Sequence, residues 1–149
     1  MVKVITVGLV VALASFSTLA EESVIRVASQ HSVQDTANKF VQIAQGKGLN
    51  VFARVNHQEN AAKVDMTLRP TEVIVFGNPK VGTPLMQCAQ EVAIDLPQKV
   101  LVYEDAEGKT WLAYNNPMYL KERHGIEGCD EVLTKVSGVL SKLTGAAAK

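Results

Sequence analysis

Residues 69–86 read RPTEVIVFGNPKVGTPLM and join an apolar, β-branched run to a proline-marked helix start. The run 72–76 is continuously apolar after its first residue, Glu72. This predicts a central strand covered on both faces. A rigid turn rich in Pro and Gly follows, and Thr83 and Pro84 are typical of an N-cap and a first helical position. The stretch therefore predicts a strand-turn-helix unit at one edge of a sheet, where small ligands often bind.

Residues 1–20 are typical of a secretory signal peptide. Lys3 supplies the positive charge, residues 4–16 form an apolar run, and small residues precede a cleavage site predicted after Ala20. A retained membrane anchor is the alternative, but a spanning helix needs ~20 apolar residues and this run is shorter. We therefore expect residues 21–149 to form a mature protein, periplasmic or secreted, with no stable membrane insertion after cleavage.

The chain is neutral overall, with 15 Lys and Arg residues against 15 Asp and Glu residues. Proteins that bind nucleic acid carry basic patches, and this sequence has no basic run, so nucleic acid is not expected as a partner. A membrane-surface protein would need a polybasic patch and is disfavoured for the same reason. Residues 21–149 have the length of one domain that can bury its own core.

Two cysteines, Cys88 and Cys129, lie in the predicted mature chain. An exported protein with two cysteines in an oxidising compartment is expected to form one disulfide. The alternative is two separately buried thiols, because sequence does not fix the distance between them. A redox function is disfavoured, since the two cysteines lack the Cys-x-x-Cys spacing.

The remaining patterns predict an α+β fold with a single, mostly antiparallel β-sheet and packed helices. Leu49, Val51, Ala53 and Val55 alternate with more polar positions, and only Phe52 breaks the alternation. The acidic, glycine-ended link at residues 105–108 is typical of a hairpin turn. Strands are predicted at 23–29, 49–57, 72–76, 99–104 and 109–114, and helices at 32–46, 83–91, 118–123 and 130–143.

Several motifs taken together resemble the DUF302 family of small bacterial domains. They are FARVNH at 52–57, LRPTE at 68–72, FGNPKVGTPLM at 76–86, IDLP at 94–97 and WLAYNNPMYL at 111–120. The resemblance extends over residues 24–143. It implies a compact α+β domain with one sheet, found as a homodimer, and it implies no reaction because the function of the family is unknown.

Polar residues near predicted strand ends form the candidate ligand site. His57 ends a strand and belongs to the family pattern, and it suits a base or a metal ligand. Arg69 has the planar donor geometry that holds a carboxylate or phosphate, or else it pairs with Glu72 or Asp95. Asn78 suits a turn or a ligand contact, and Thr83 opens a helix whose N-terminus favours anions.

The sequence leaves more than one function open. The first hypothesis is a homodimeric module that binds a small ligand, with an anion as one option, near His57, Arg69, Asn78, Thr83 and Asp95. An acid–base enzyme using His57 and Asp95 is the second. A haem or metal protein with His57 and Met86 as weak candidate ligands is a further alternative, as is a purely structural partner. No cofactor is specified by any motif.

Overall fold

The computed structural model describes residues 23–149, and the predicted signal peptide (residues 1–20) lies outside the described part. The strands are β1 (Val24–Ala28), β2 (Asn50–Asn56), β3 (Thr71–Gly77), β4 (Gln98–Glu104) and β5 (Thr110–Asn115). The helices are α1 (Val33–Gly46), α2 (His57–Ala62), α3 (Pro79–Cys88), α4 (Pro117–His124) and α5 (Asp130–Ala147), with a 3-10 helix at Gln90–Ile94.

The five strands form one antiparallel sheet in the order β1-β5-β4-β3-β2. β4 and β5 form the predicted hairpin, in which the Asp105 carboxylate accepts hydrogen bonds from the N–H groups of Glu107 and Lys109 at 3.0 and 2.8 Å. Gly108 closes the turn at a φ of 76°, which glycine adopts without steric cost. The single sheet with its helices confirms the predicted α+β class.

The core lies on one face of the sheet. α1 packs against β2, β3 and β4, and α5 packs against α1, α3 and α4. Ser32 caps α1 by accepting a hydrogen bond from the Asp35 N–H at 3.1 Å, as its spacing predicts. Phe40 of α1 meets Phe76 of β3 edge to face, with ring centroids 4.9 Å apart. This contact holds α1 against the end of β3.

β3 is covered on only one face, so the prediction of a doubly covered strand is wrong. Ile74 and Phe76 are buried in the core, whereas Val73 and Val75 are partly exposed and lie outside the core cluster. The run is continuous because Val73 and Val75, which point to the second face of the sheet, are apolar as well. The pattern alone does not distinguish a face covered by the same chain from an apolar face that the chain leaves uncovered.

α3 begins earlier than predicted. Asn78 is its N-cap and accepts a hydrogen bond from the Lys80 N–H at 2.9 Å, and Pro79 occupies the first helical position. Thr83 therefore lies in the middle of the helix, with Pro84 in its interior, and the prediction of Thr83 as N-cap is wrong. The cap-then-proline signal occurs twice in this stretch, and the first occurrence starts the helix.

A disulfide joins Cys88, the last residue of α3, to Cys129, which precedes α5, with a Cα–Cα distance of 6.5 Å. This pairing confirms the predicted bond and rejects the alternative of two separate thiols. It fixes the end of α3 against the start of α5. Within residues 23–149, no helix has the length and apolar character needed to cross a membrane.

Candidate functional site

A cavity of about 250 Å³ lies beside α3, and we call it the α3 cavity. Its wall is formed by residues from two segments, 77–86 at the end of β3 and in α3, and 93–98 before β4. Phe52 of β2 and Val136 of α5 complete the lining. The cavity therefore sits at the strand-turn-helix unit in which the sequence predicts a site.

Two glycines keep the cavity wall open. A Cβ at Gly82 would lie 3.8 Å from the Leu96 side chain, and a Cβ at Gly77 would lie 3.5 Å from Pro97. Neither position has a positive φ, so the absent side chain matters through space rather than backbone strain. Larger residues at Gly82 would extend toward the Leu96 side and fill the space.

A β-bulge directs Phe52 toward the same cavity. The pairing of β2 with β3 shifts between Val51 and Ala53, which leaves Phe52 as the extra residue. Bulges commonly re-aim a side chain near a functional site. Phe52 is 54% exposed and lines the cavity next to Gly77. Its break in the alternation of β2 is thus the sequence signal of this bulge.

Of the five predicted site residues, Asn78 and Thr83 line the α3 cavity. His57 does not, because antiparallel pairing sets Asn56 opposite Glu72 near the start of β3. β3 has seven residues and spans roughly 20 Å from that end to Gly77. The expectation that all five residues share one edge is therefore wrong.

Arg69 lies at the same end of β3 as His57. Its Nε donates a hydrogen bond to the carbonyl oxygen of Glu104 at 3.2 Å, and the residue is exposed. The alternative pairings predicted for Arg69 are also wrong. Glu72 of β3 instead forms an ion pair with Arg54 of the neighbouring strand β2, whose Nε donates to the carboxylate. Arg69 thus joins the start of β3 to the end of β4, away from the cavity.

Asp95 pairs with His124 rather than with His57. The His124 Nε2 lies 2.5 Å from the Asp95 Oδ2, and the Arg123 Nε lies 3.6 Å from the same oxygen. The predicted acid–base pair of His57 and Asp95 is therefore not formed within one chain. The sequence patterns do not predict this contact, because the two residues are far apart in the chain. The pair fixes the segment 93–98 against the end of α4.

The weak haem or metal pair is not brought together either. Met86 lines the α3 cavity, while His57 lies at the opposite end of β3. Among residues 23–149, no group of three or more His, Cys, Asp or Glu side chains has a metal-binding arrangement.

Sequence reasoning also missed the apolar residues that dominate the cavity wall. Leu85 of α3 and Leu96 of the segment before β4 both line the cavity, together with Phe52 and Gly82. Each is an ordinary residue for a helix, a loop or a strand. Only the irregular position of Phe52 in an otherwise alternating strand signals a special role.

Two groups in the described region have shifted pKa values, and both lie outside the cavity. The Trp111 indole N–H, 2.7 Å from the carboxylate, lowers the pKa of Asp105, and the Lys109 N–H contributes in the same direction. Burial raises the pKa of the Tyr114 hydroxyl, although a hydrogen bond with Thr144 opposes the shift. These groups stabilise the hairpin and the core and do not belong to the site.

Comparison with curated proteins finds relatives that are named as fluoride channels. The chain is 39% identical over 119 residues to "Fluoride-specific ion channel FluC 1" of Brucella suis biovar 1 (strain 1330), covering 80% of this chain and 47% of that protein. It is also 39% identical to "Fluoride-specific ion channel FluC 2" of Brucella melitensis biotype 1, covering 44% of it. The chain thus spans less than half the length of these relatives.

The fold matches a solved structure, the "uncharacterized conserved protein DUF302 from Bacillus stearothermophilus". The TM-score is 0.77 at 16% identity, covering 85% of this chain and 99% of that chain. The family model "Domain of unknown function DUF302" matches residues 25–143. Sequence motifs, family match and fold agree, and the chain belongs to the DUF302 family.

Proposed function

We propose that this protein is an exported, homodimeric module that binds a small ligand in the α3 cavity. The observation that carries the proposal is the cavity itself, about 250 Å³ of space at the junction of β3 and α3. An engineered cavity of about 150 Å³ already binds benzene. The space here is therefore sufficient for a small organic molecule.

The cavity wall is held by contacts that would preorganise a binding site. Asn78 caps the start of α3, and the Cys88–Cys129 disulfide fixes its end. On the opposite side, Asp95 and His124 hold the segment 93–98. A rigid wall reduces the ordering cost of binding, which favours a site over a transient gap.

The exposed Phe52 supports binding rather than a packing defect. A large aromatic side chain that is 54% exposed gives little to the core, yet the bulge in β2 holds it at the cavity. Aromatic side chains supply a large contact area for small ligands. Phe52 is therefore the residue expected to contact a ligand first.

Export is supported by two independent features. Residues 1–20 have the composition of a signal peptide. Cys88 and Cys129 form a disulfide, which is typical of oxidising compartments such as the periplasm.

The homodimer is proposed to form through the open face of the sheet, which we define by the cross-strand row Val55, Val73, Leu101 and Ala113. All four residues are apolar and lie outside the core cluster, and the row ends at the exposed Arg26 of the edge strand β1. Three of them remain partly exposed, and their neighbours Val75 and Trp111 do so as well. Two such faces would pack as a sheet sandwich and remove this apolar surface from water.

Ligand binding is tested with a variant that fills the cavity. Gly82→Leu places a side chain in the space, and Gly138→Leu makes the same change in α5, where a Cβ has nothing within 4 Å. Both remove a helical glycine, so both are expected to fold. Thermal-shift screening of a small-molecule library should give ligands that stabilise the wild type and Gly138→Leu but not Gly82→Leu. Equal stabilisation of all three proteins would contradict the proposal.

The dimer is tested by light scattering after chromatography. Leu101→Asp puts a charge in the centre of the open face and should convert the dimer to a monomer. Ile94→Asp is the control, because Ile94 is 73% exposed and lies outside that face. A wild-type monomer, or a Leu101→Asp dimer of wild-type stability, would contradict dimerisation through the sheet.

Ion conduction is not proposed for this chain. The channel name belongs to relatives of which the chain covers 44–47%. The acid–base enzyme is not proposed either, because Asp95 is paired with His124 and not with His57.

A further inference from the structure

We infer that the α3 cavity binds an uncharged, mostly apolar group of about ten non-hydrogen atoms, which is all or part of the ligand. This inference rests on the proposed binding function and names the class of ligand. It replaces the anionic ligand that the sequence suggested, and it follows from the charge, hydrogen bonding and size of the cavity.

The wall of the cavity offers no charge to an ionic ligand. None of the described residues lining it is Asp, Glu, Lys, Arg or His. The polar side chains in the lining are Asn78, Thr83 and Gln98, and all are neutral. Moving a carboxylate or an ammonium group from water into such surroundings without a partner is strongly unfavourable. A neutral molecule avoids this cost.

The start of α3 does not provide an anion site. The Asn78 side chain accepts the Lys80 N–H at 2.9 Å. The Asn78 carbonyl oxygen accepts the N–H groups of Val81 and Gly82 at 2.9 and 3.0 Å. These donors of the first turn already have partners, so they are not available to an anionic ligand.

The positively charged side chains near the α3 cavity bind other groups or lie outside its lining. The Lys99 ammonium donates to the carbonyl oxygens of Asp95 and Pro97 at 3.1 and 3.2 Å. The Arg123 guanidinium lies against the Asp95 carboxylate. Lys80 is exposed and is not part of the lining. An anion in the cavity would therefore lack a counter-ion in its wall.

The α3 cavity is partly open to solvent, so its volume sets the size of the part of the ligand that it encloses. A cavity of about 150 Å³ accommodates benzene, which has six carbon atoms. The α3 cavity of about 250 Å³ scales to about ten non-hydrogen atoms, the size of a fused bicyclic ring or a medium alkyl chain. Thr83 is exposed and Gln98 is partly exposed, so one neutral polar group of the ligand would sit near them.

Three naphthalene derivatives of matched shape test the inference by calorimetry at neutral pH. Naphthol is neutral, naphthoate carries a carboxylate, and naphthylmethylammonium carries a positive charge. Naphthol should bind the wild type and Gly138→Leu at least about tenfold more tightly than either charged probe. It should lose this binding in Gly82→Leu.

The possible failures are distinct. Tighter or equal binding of a charged probe, abolished by Gly82→Leu, would overturn the inferred ligand class and leave the binding function intact. Naphthol binding that Gly82→Leu does not weaken would overturn the assignment to this cavity. Absence of binding for all three probes would overturn the inference, and a library screen that also gave no Gly82-dependent ligand would overturn the proposed function with it.

Discussion

His124 and Asp95 form a closely paired, largely buried contact, with the His124 Nε2 lying 2.5 Å from the Asp95 Oδ2. The side chains are 6% and 13% exposed. Asp95 ends the 3-10 helix that leads into the cavity wall, and His124 ends α4. The pair therefore joins the site to the helical layer.

Asp95→Asn should destabilise the protein by about 1 to 2 kcal/mol, because it replaces a charge-assisted hydrogen bond with a neutral one at a shielded position. The matched control is Asp130→Asn, whose ion pair with Lys121 has Asp130 63% exposed and should contribute less than about 1 kcal/mol. Urea unfolding of both variants checks this. Equal losses in the two variants would mean that the Asp95 contact has no special role.

Removing the disulfide should lower stability more than any single surface change. The bond closes a loop with a sequence separation of 41, for which the chain-entropy model gives about 4 kcal/mol. The double variant Cys88→Ala and Cys129→Ala should unfold at much lower urea concentration than the wild type. The wild type treated with a thiol reductant should approach the double variant, and an unchanged midpoint in both would contradict the prediction.

The raised pKa of Tyr114 predicts that the folded protein loses stability at alkaline pH. Burial raises its pKa above the ordinary value of 10.0, so the folded state favours the neutral hydroxyl. Stability from this preference is present below pH 10 and decreases as the pH rises through the raised folded value. Tyr114→Phe should be less stable than the wild type at neutral pH because it loses the hydrogen bond with Thr144. The gap should narrow above about pH 10. A gap that stays constant across this range, measured by denaturant unfolding, would refute the pKa shift.

Phe52→Ala should weaken ligand binding with little loss of stability. Phe52 is 54% exposed, so its removal uncovers little buried area, but it lines the cavity. Calorimetry with naphthol should give a several-fold weaker affinity, on the order of the loss of one aromatic contact. Ile94→Ala provides the control, as an exposed apolar residue outside the α3 cavity. Equal effects of both substitutions on affinity would argue against contact with Phe52.

The five strands, the four longer helices and the hairpin could be predicted because their signals are local. Each signal involves residues that are close in sequence. Examples are the Ser32 cap with Asp35, the hairpin link before Lys109 and the helical spacing of the apolar residues in α5. The short helix α2 and the 3-10 helix were not predicted, and His57, predicted to end a strand, begins α2 instead. The disulfide followed from the count of cysteines and the expected compartment. These features depend little on how distant segments meet.

The position of the site could be predicted only in part. Asn78 and Thr83 were found because the turn after β3 is a local signal. His57 was misplaced because neighbouring antiparallel strands run in opposite directions. The residue after β2 therefore lies near the start of β3, far from the residues that follow β3. The pairing of Asp95 with His124 depends on the packing of α4, which no local pattern describes.

The central claim, that the α3 cavity binds a small apolar molecule, is tested most directly by methyl NMR during titration with naphthol. The methyl resonances of Val81, Leu85 and Leu96, which line the cavity, should shift in proportion to occupancy. Those of Val73 and Leu101 on the open sheet face should not. Shifts confined to the sheet face, or no shifts at saturating naphthol, would contradict the claim.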